Sequence, residues 1–223
     1  RYGAYAAGGA SAYFSDMLGN RTLGVMVMAQ GTLKDLGGQA FFTNQAKRLN
    51  WGVSGGRIPY MQGYSYYSDN PDGTISIIEQ IQRIYVNQAN LMGAYPFSTT
   101  RRVEGNIGVQ RYSYDFEQRE SVFDPYGYFI GSMVDPLPSR PAINLASASV
   151  ALVGDKSNSA FTGPVSGGRF RLEVSQSVGS VNFTSLVLDV RRYFNPNKNI
   201  TFAARALHFG RYGNSLETDR SVA

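Results

Sequence analysis

The chain has 223 residues, of which 17% are charged and 13% aromatic, with 25 glycines, 15 tyrosines, 13 phenylalanines and no cysteine. The lack of cysteine excludes disulfides, thiolate metal sites and thiol nucleophiles together. The formal net charge is +5, but the basic residues stand in ones and twos, as in Lys47-Arg48, Arg101-Arg102 and Arg191-Arg192; they build no continuous track for phosphates, so no nucleic-acid partner is expected.

The length fits one domain, residues 1–223. Both ends, at Arg1 and at Ala223, read as cut. Charged content is below the roughly 25% of soluble domains. Few charges with many aromatics and glycines suit strands that meet lipid on one face and water on the other. No stretch reaches the roughly 18 to 20 consecutive apolar residues of a spanning helix, so a chain of this kind crosses a membrane only as a closed barrel.

Taken in order, the first strand-like runs cover residues 3–15, 22–32, 39–45, 50–59 and 77–94. Next, Arg102, Glu104, Asn106 and Gln110 alternate with Val103, Ile107 and Val109, and Ser147, Ser149 and Asp155 alternate with Ala148, Val150 and Leu152. The pattern is cleanest from Arg169, where Arg169, Arg171, Glu173, Ser175 and Ser177 form one face and Phe170, Leu172, Val174, Gln176 and Val178 the other. After Gly179-Ser180 the same sidedness returns: Ser185, Val187, Asp189, Arg191 and Tyr193 oppose Leu186, Leu188, Val190, Arg192 and Phe194. Asn195-Pro196-Asn197-Lys198-Asn199 then turns the chain into a last run, residues 200–209.

These runs predict an all-β fold, an antiparallel transmembrane β-barrel present in part as about ten strands in a meander. Short links (Met17 to Arg21, Ala46 to Leu49, Tyr95 to Thr100, Asn195 to Asn199) mostly interleave with long ones (Tyr60 to Ser76, Gln118 to Ala142), as where tight turns lie on one side of a membrane and long loops on the other. The stretch from Leu33 to Gly38 reads as a short link and that from Asn158 to Gly167 as a long turn.

On the polar faces, Arg169, Arg171, Glu173, Asp189 and Arg191 form a candidate lumen charge network. Gly163, Gly167 and Gly168 mark a turn where another chain segment comes close. Arg192, with Tyr193 and Phe194, is placed to anchor a strand end at a membrane interface. Nine aromatics from Tyr60 to Phe129, Tyr64, Tyr66 and Tyr126 among them, gather near the long links as an interfacial girdle. His208 is the single histidine and has the parity of the apolar Ile200, Phe202, Ala204 and Ala206. A catalytic triad built there faces away from water, so no enzymatic activity is expected. Asp69-Asn70-Pro71-Asp72-Gly73 lacks the spacing of a calcium loop, and no metal or other cofactor is implied.

Two stretches carry a family resemblance. Gly163-Pro164-Val165-Ser166-Gly167-Gly168-Arg169-Phe170-Arg171-Leu172-Glu173, followed by Leu188-Asp189-Val190-Arg191-Arg192-Tyr193-Phe194, resembles a turn-strand-strand region of the BamA-like bacterial surface-antigen barrels. Phe14-Ser15-Asp16-Met17-Leu18-Gly19-Asn20 resembles a turn in members that carry a TolB-like propeller before the barrel. The family's Arg-Gly-Tyr or Arg-Gly-Phe loop tip is absent, and Gly210-Arg211-Tyr212-Gly213 has the wrong order. The resemblance implies a bacterial outer-membrane barrel that inserts or translocates proteins, or lipids. Outer-membrane lipid and lipopolysaccharide would surround it, and unfolded outer-membrane proteins or a secreted substrate would be its cargo. Two other readings stay open: a passive pore or membrane anchor for a periplasmic propeller, and a soluble secreted β-sandwich or adhesin module. The last predicts that Phe170, Leu172, Leu186 and Leu188 are buried within the monomer.

Overall fold

The computed structural model describes residues 7–161, 163–197 and 200–213, and among them there is no helix. The strands are β1 (Ala7–Ser15), β2 (Arg21–Gln30), β3 (Thr32–Asn44), β4 (Asn50–Asp69), β5 (Ile75–Ser98), β6 (Arg101–Phe123), β7 (Phe129–Leu137), β8 (Ile143–Asp155), β9 (Asn158–Ala160), β10 (Gly163–Gly179), β11 (Phe183–Asn197) and β12 (Ile200–Tyr212). All twelve join one antiparallel sheet in the order β1-β2-β3-β4-β5-β6-β8-β10-β11-β12, with β7 paired to β6 and β9 to β10. The sheet is an open wall rather than a closed barrel, and β1 and β12 are its edges. The ten strands of the continuous path form the expected meander; β7 and β9 are additions to it.

Period-two patterning fixes the register of the wall. Arg171 stands opposite Asp189 on one side and Val153 on the other, and Glu104 stands opposite Ala151, so the polar residues of β6, β8, β10 and β11 share one face. That face is the inner one: Ala151 is 2% exposed and Ser185 7%, whereas Ile107 and Val150, on the apolar face, are 63% and 62% exposed. The arrangement inverts that of a soluble domain, in which the apolar face goes inside.

A row of polar residues ends the apolar face. Arg57 pairs with Asn87, Asn87 with Arg111 and Arg111 with Asn144, side by side across β4, β5, β6 and β8. Beyond this row β4, β5 and β6 continue and, with β7, form a four-stranded extension. Its two turns share one chemistry. The Asp72 carboxylate accepts from Thr74 N at 3.0 Å, and the Asp124 carboxylate from Tyr126 N and Tyr128 N at 2.9 and 2.7 Å. These are side-chain imitations of a backbone turn.

The extension corrects two expectations. Tyr60 to Ser76 and Gln118 to Ala142, taken as long links, are mostly strand: β4 reaches Asp69, β6 reaches Phe123, and β7 follows. Tyrosine-rich stretches without an apolar face read as loops by period, yet aromatic residues are good strand formers. β7 and β8 lie on the same edge of β6, at Phe116–Phe123 and Arg101–Tyr112. Pro138 and Pro141 lie in the gap between them, where missing donors break the ladder. Two smaller corrections concern Leu33 to Gly38, which belongs to β3, and Asn158 to Gly167, which contains β9 and the start of β10. The expected run at residues 3–15 lies partly outside the described residues.

Candidate functional site

The inner face of the wall holds a cavity of about 540 Å³, lined by Asn50, Arg102, Glu104, Asn106, Arg171 and Glu173 among others. β6 and β10 are separated by β8, but Arg171 reaches over the small Ala151 to Glu104, Nη1 to Oε2 at 2.6 Å. It also holds Glu173 at 2.7 Å, and Arg102 binds the other oxygen of Glu104 at 2.6 Å. Two cations and two carboxylates therefore alternate across the cavity floor.

A second charged group continues toward the β12 edge. Asp189 accepts from Arg191 at 2.7 Å and from Arg205 of β12 at 2.8 Å, while Arg169 pairs with Asp155 at 2.9 Å. The five residues picked out as a charge network thus share one face but not one cluster: Arg171 and Glu173 pair through Glu104, Asp189 and Arg191 through Arg205, and Arg169 turns to Asp155. Arg171 and Asp189, although directly opposite, each take other partners. These side chains are partly exposed, so each pair contributes only about 0.2–1 kcal/mol.

The singled-out glycines separate likewise. Gly167 has φ +88°, and a Cβ there would stand 1.9 Å from the carbonyl oxygen of Lys156, so only glycine fits. Gly168 lies under the Arg192 stem, and Gly163 has open space around it. At the end of β11, Arg192 and Phe194 are on the outer face, where Phe194 stacks on Phe202 at 5.2 Å, and Tyr193 is on the inner face opposite Gly167.

The most buried charges are elsewhere. The β2–β3 turn at Gly31 is followed by a register shift that frees residues 33–35 of β3 from β2. This tip lies across the extension: a Cβ on Gly37 would stand 2.4 Å from Pro59 of β4. Asp35 receives Arg83 Nε of β5 at 2.7 Å, and Lys34 reaches Asp115 and Glu117 of β6 at 3.2 Å each. Arg83 Nη1 is 2.9 Å from Glu117 but out of line for a hydrogen bond. Arg119 adds a third cation at 3.3 Å from Glu117. Arg57 stacks at 4.1 Å on the ring of buried Tyr85 beside the cluster.

Arg83 and Asp35 are both almost wholly buried, a geometry in which loss of one partner strands the other's charge. Burial pushes the Glu117 carboxyl up, but the adjacent cations of Arg83 and Lys34 outweigh this and hold it below the ordinary carboxylate range. Sequence reasoning missed this cluster because residues 33–38 were assigned to a link. The signal available was Asp115-x-Glu117-x-Arg119, three charges on one strand face with no apolar alternation.

Among the described residues no group of three or more histidine, cysteine or acidic side chains is gathered as metal ligands would be. His208 is on the outer face of edge strand β12, with Nε2 3.0 Å from the Tyr212 hydroxyl. No protein-family model, no curated protein and no solved structure matches this chain.

Proposed function

We propose that this chain forms a wall of a bacterial outer-membrane β-barrel of the BamA-like kind, a non-enzymatic component that inserts or translocates proteins or lipids. The observation that carries this reading is the inverted burial: Ile107, Val109, Val150, Leu172 and Val174 face outward, while Arg171, Glu104 and Asp189 line the inner face. Water on both faces would leave that apolar surface uncompensated; hydrocarbon on the outer face removes the cost.

Four further features agree with it. The wall portions of the strands, such as β1 with 9 residues and β8 with 13, bracket the roughly 9–11 residues of a tilted membrane strand. Outer-face aromatics collect at the short-turn end, with Phe42 against Trp51 and Phe194 against Phe202, as in an interfacial belt. The extension, with charges or polar groups on both faces, suits water beyond the membrane. Among the described residues β1 and β12 are open edges, whose backbone groups are able to pair with another strand, which suits a seam at which an incoming strand is templated.

A passive pore or anchor for a periplasmic propeller is favoured by one observation, that the inner-face charges largely satisfy one another and leave few unpaired groups for a cargo. A soluble sandwich needs a second layer over Leu172 and Leu188, which are instead 43% and 38% exposed. Membrane fractionation with heat-modifiable gel mobility tests the proposal. The expected result is outer-membrane fractionation with a mobility shift between unheated and boiled samples. A chain that stays soluble without detergent refutes it.

A further inference from the structure

We infer that the outer face of this wall carries a binding site for the phosphate headgroup of an anionic membrane lipid, built from Arg101, Lys156 and Arg192 around Phe170. This rests on the membrane reading above and names the lipid chemistry that one patch of that face recognises.

A cavity of about 210 Å³ opens at the short-turn end, lined by Arg101 at the start of β6, Lys156 just after β8, Phe170 of β10, and Val190 and Arg192 of β11. Two glycines make its floor. Gly154 is covered by the Phe170 ring, which would stand 2.2 Å from a Cβ there, and Gly168 is crossed by the Arg192 stem, whose Cδ would be 3.5 Å from a Cβ. Register explains the convergence: Arg101 is opposite Gly154, Gly154 opposite Phe170, and Gly168 opposite Arg192. Glycines at the two central positions leave the space into which flanking cations lean.

The charge balance sets this patch apart. Arg169 and Arg191 also border the cavity but are committed to Asp155 and Asp189. Among the described residues Arg101, Lys156 and Arg192 make no ion pair, and all three are exposed. Three uncompensated cations at the margin of an apolar face have one natural counter-charge, the phosphate layer that borders the hydrocarbon. Cations on a barrel's lipid face are costly at the midplane and tolerated near the interface, and the two guanidiniums can each grip a phosphate with paired N–H donors. Below the headgroup, Phe170, Val190 and Leu152 continue the apolar surface on which acyl chains lie. A single phosphate and its chains thus match both halves of the patch.

The test uses the full chain in nanodiscs and native mass spectrometry, with phosphatidylglycerol as probe and phosphatidylcholine as comparison. The native sequence is expected to retain phosphatidylglycerol preferentially. The triple variant R101Q/K156Q/R192Q should lose about fivefold in affinity per cation removed, roughly a hundredfold in all, with phosphatidylcholine retention unchanged. R101K/R192K keeps the charge and should keep the preference for phosphatidylglycerol, which separates headgroup recognition from damage to the fold. Equal retention of both lipids by the native chain, or a triple variant that retains phosphatidylglycerol like the native one, overturns the lipid site while leaving the barrel standing. A native chain that never inserts and shows no heat-dependent mobility removes the barrel and the lipid site together.

Discussion

The wall and the extension share three strands, β4, β5 and β6, and handle one strand face in opposite ways. In the wall, Leu91 of β5 and Ile107 of β6 lie opposite each other and are exposed. In the extension, residues of the same parity, Arg83 and Glu117, are buried and ionic. Between them the β5–β6 ladder runs from Ile75 opposite Phe123 to Pro96 opposite Arg102 without a slip. Register therefore does not create the change. What differs is the cover: the β2–β3 tip lies over the extension and brings Asp35 and Lys34 with it, while none of the described residues covers the wall at Leu91 and Ile107, which stay exposed. The same strand face is charged where a charged hairpin covers it and apolar where no described residue does.

The largest break in this comparison is expected at Arg83. Arg83→Met removes the cation from between Asp35 and Glu117 and leaves two carboxylates facing each other with little solvent. Losses of this kind cost about 3–5 kcal/mol. Hydrogen exchange should accelerate over β3 residues 32–37 and over β5 residues 76–86, while the wall at β10 and β11 stays protected. Acceleration spread evenly over both regions would show that they fold as one unit.

The wall is next. Leu172→Arg, on the outer face midway along β10, should cost about 2–4 kcal/mol in a lipid bilayer, read from the urea midpoint of folding into vesicles. Ser175→Arg, on the inner face of the same strand, should cost far less. If the two substitutions cost the same, the outer face does not meet hydrocarbon.

Much of the wall was legible before the structure, because two strand faces of opposite polarity impose period two: the pairing of Arg171 with the polar faces of β8 and β11 follows from alternation alone. The partners were not legible. Glu104 is 67 positions from Arg171, and that contact needs the sheet to curve and Ala151 to be small between them. The extension was hidden for a different reason. Tyr64, Tyr66, Tyr112 and Tyr114 occupy the parts of β4 and β6 that have no apolar face, so period carried no information there.

Gly37 sharpens the comparison at the point where the tip crosses β4. Gly37→Ala puts a methyl 2.4 Å from Pro59 and 2.9 Å from the Arg57 carbonyl, an overpacking worth about 1–3 kcal/mol. The tip should lift, and limited proteolysis near Lys34 should speed up without loss of the wall's heat-modifiable mobility.

Acid should act on the same contact. A carboxyl held low in the folded state stabilises above its unfolded value and loses that contribution as pH falls through the folded one. Glu117 is such a group, so the extension should weaken below about pH 4.3, the ordinary glutamate value, and hold steady above it. Glu117→Gln is expected to remove this part of the acid response in a proteolysis series run with an acid-active protease. An unchanged pH profile in that variant would mean that the other carboxylates of the cluster carry it.

The smallest effect is predicted at the inner cavity. Glu104→Gln weakens the contacts of Arg102 and Arg171 at once, yet both guanidiniums are partly exposed and Arg171 retains Glu173. The expected loss is therefore about 0.2–1 kcal/mol, near the limit of a folding titration. Ion selectivity in a planar bilayer is the better readout: one fewer carboxylate beside two arginines should shift preference toward anions if the inner face lines a conducting lumen. A loss well above 1 kcal/mol with unchanged selectivity would instead make the Arg102–Glu104–Arg171–Glu173 array a brace of the wall, as Arg83 is of the extension.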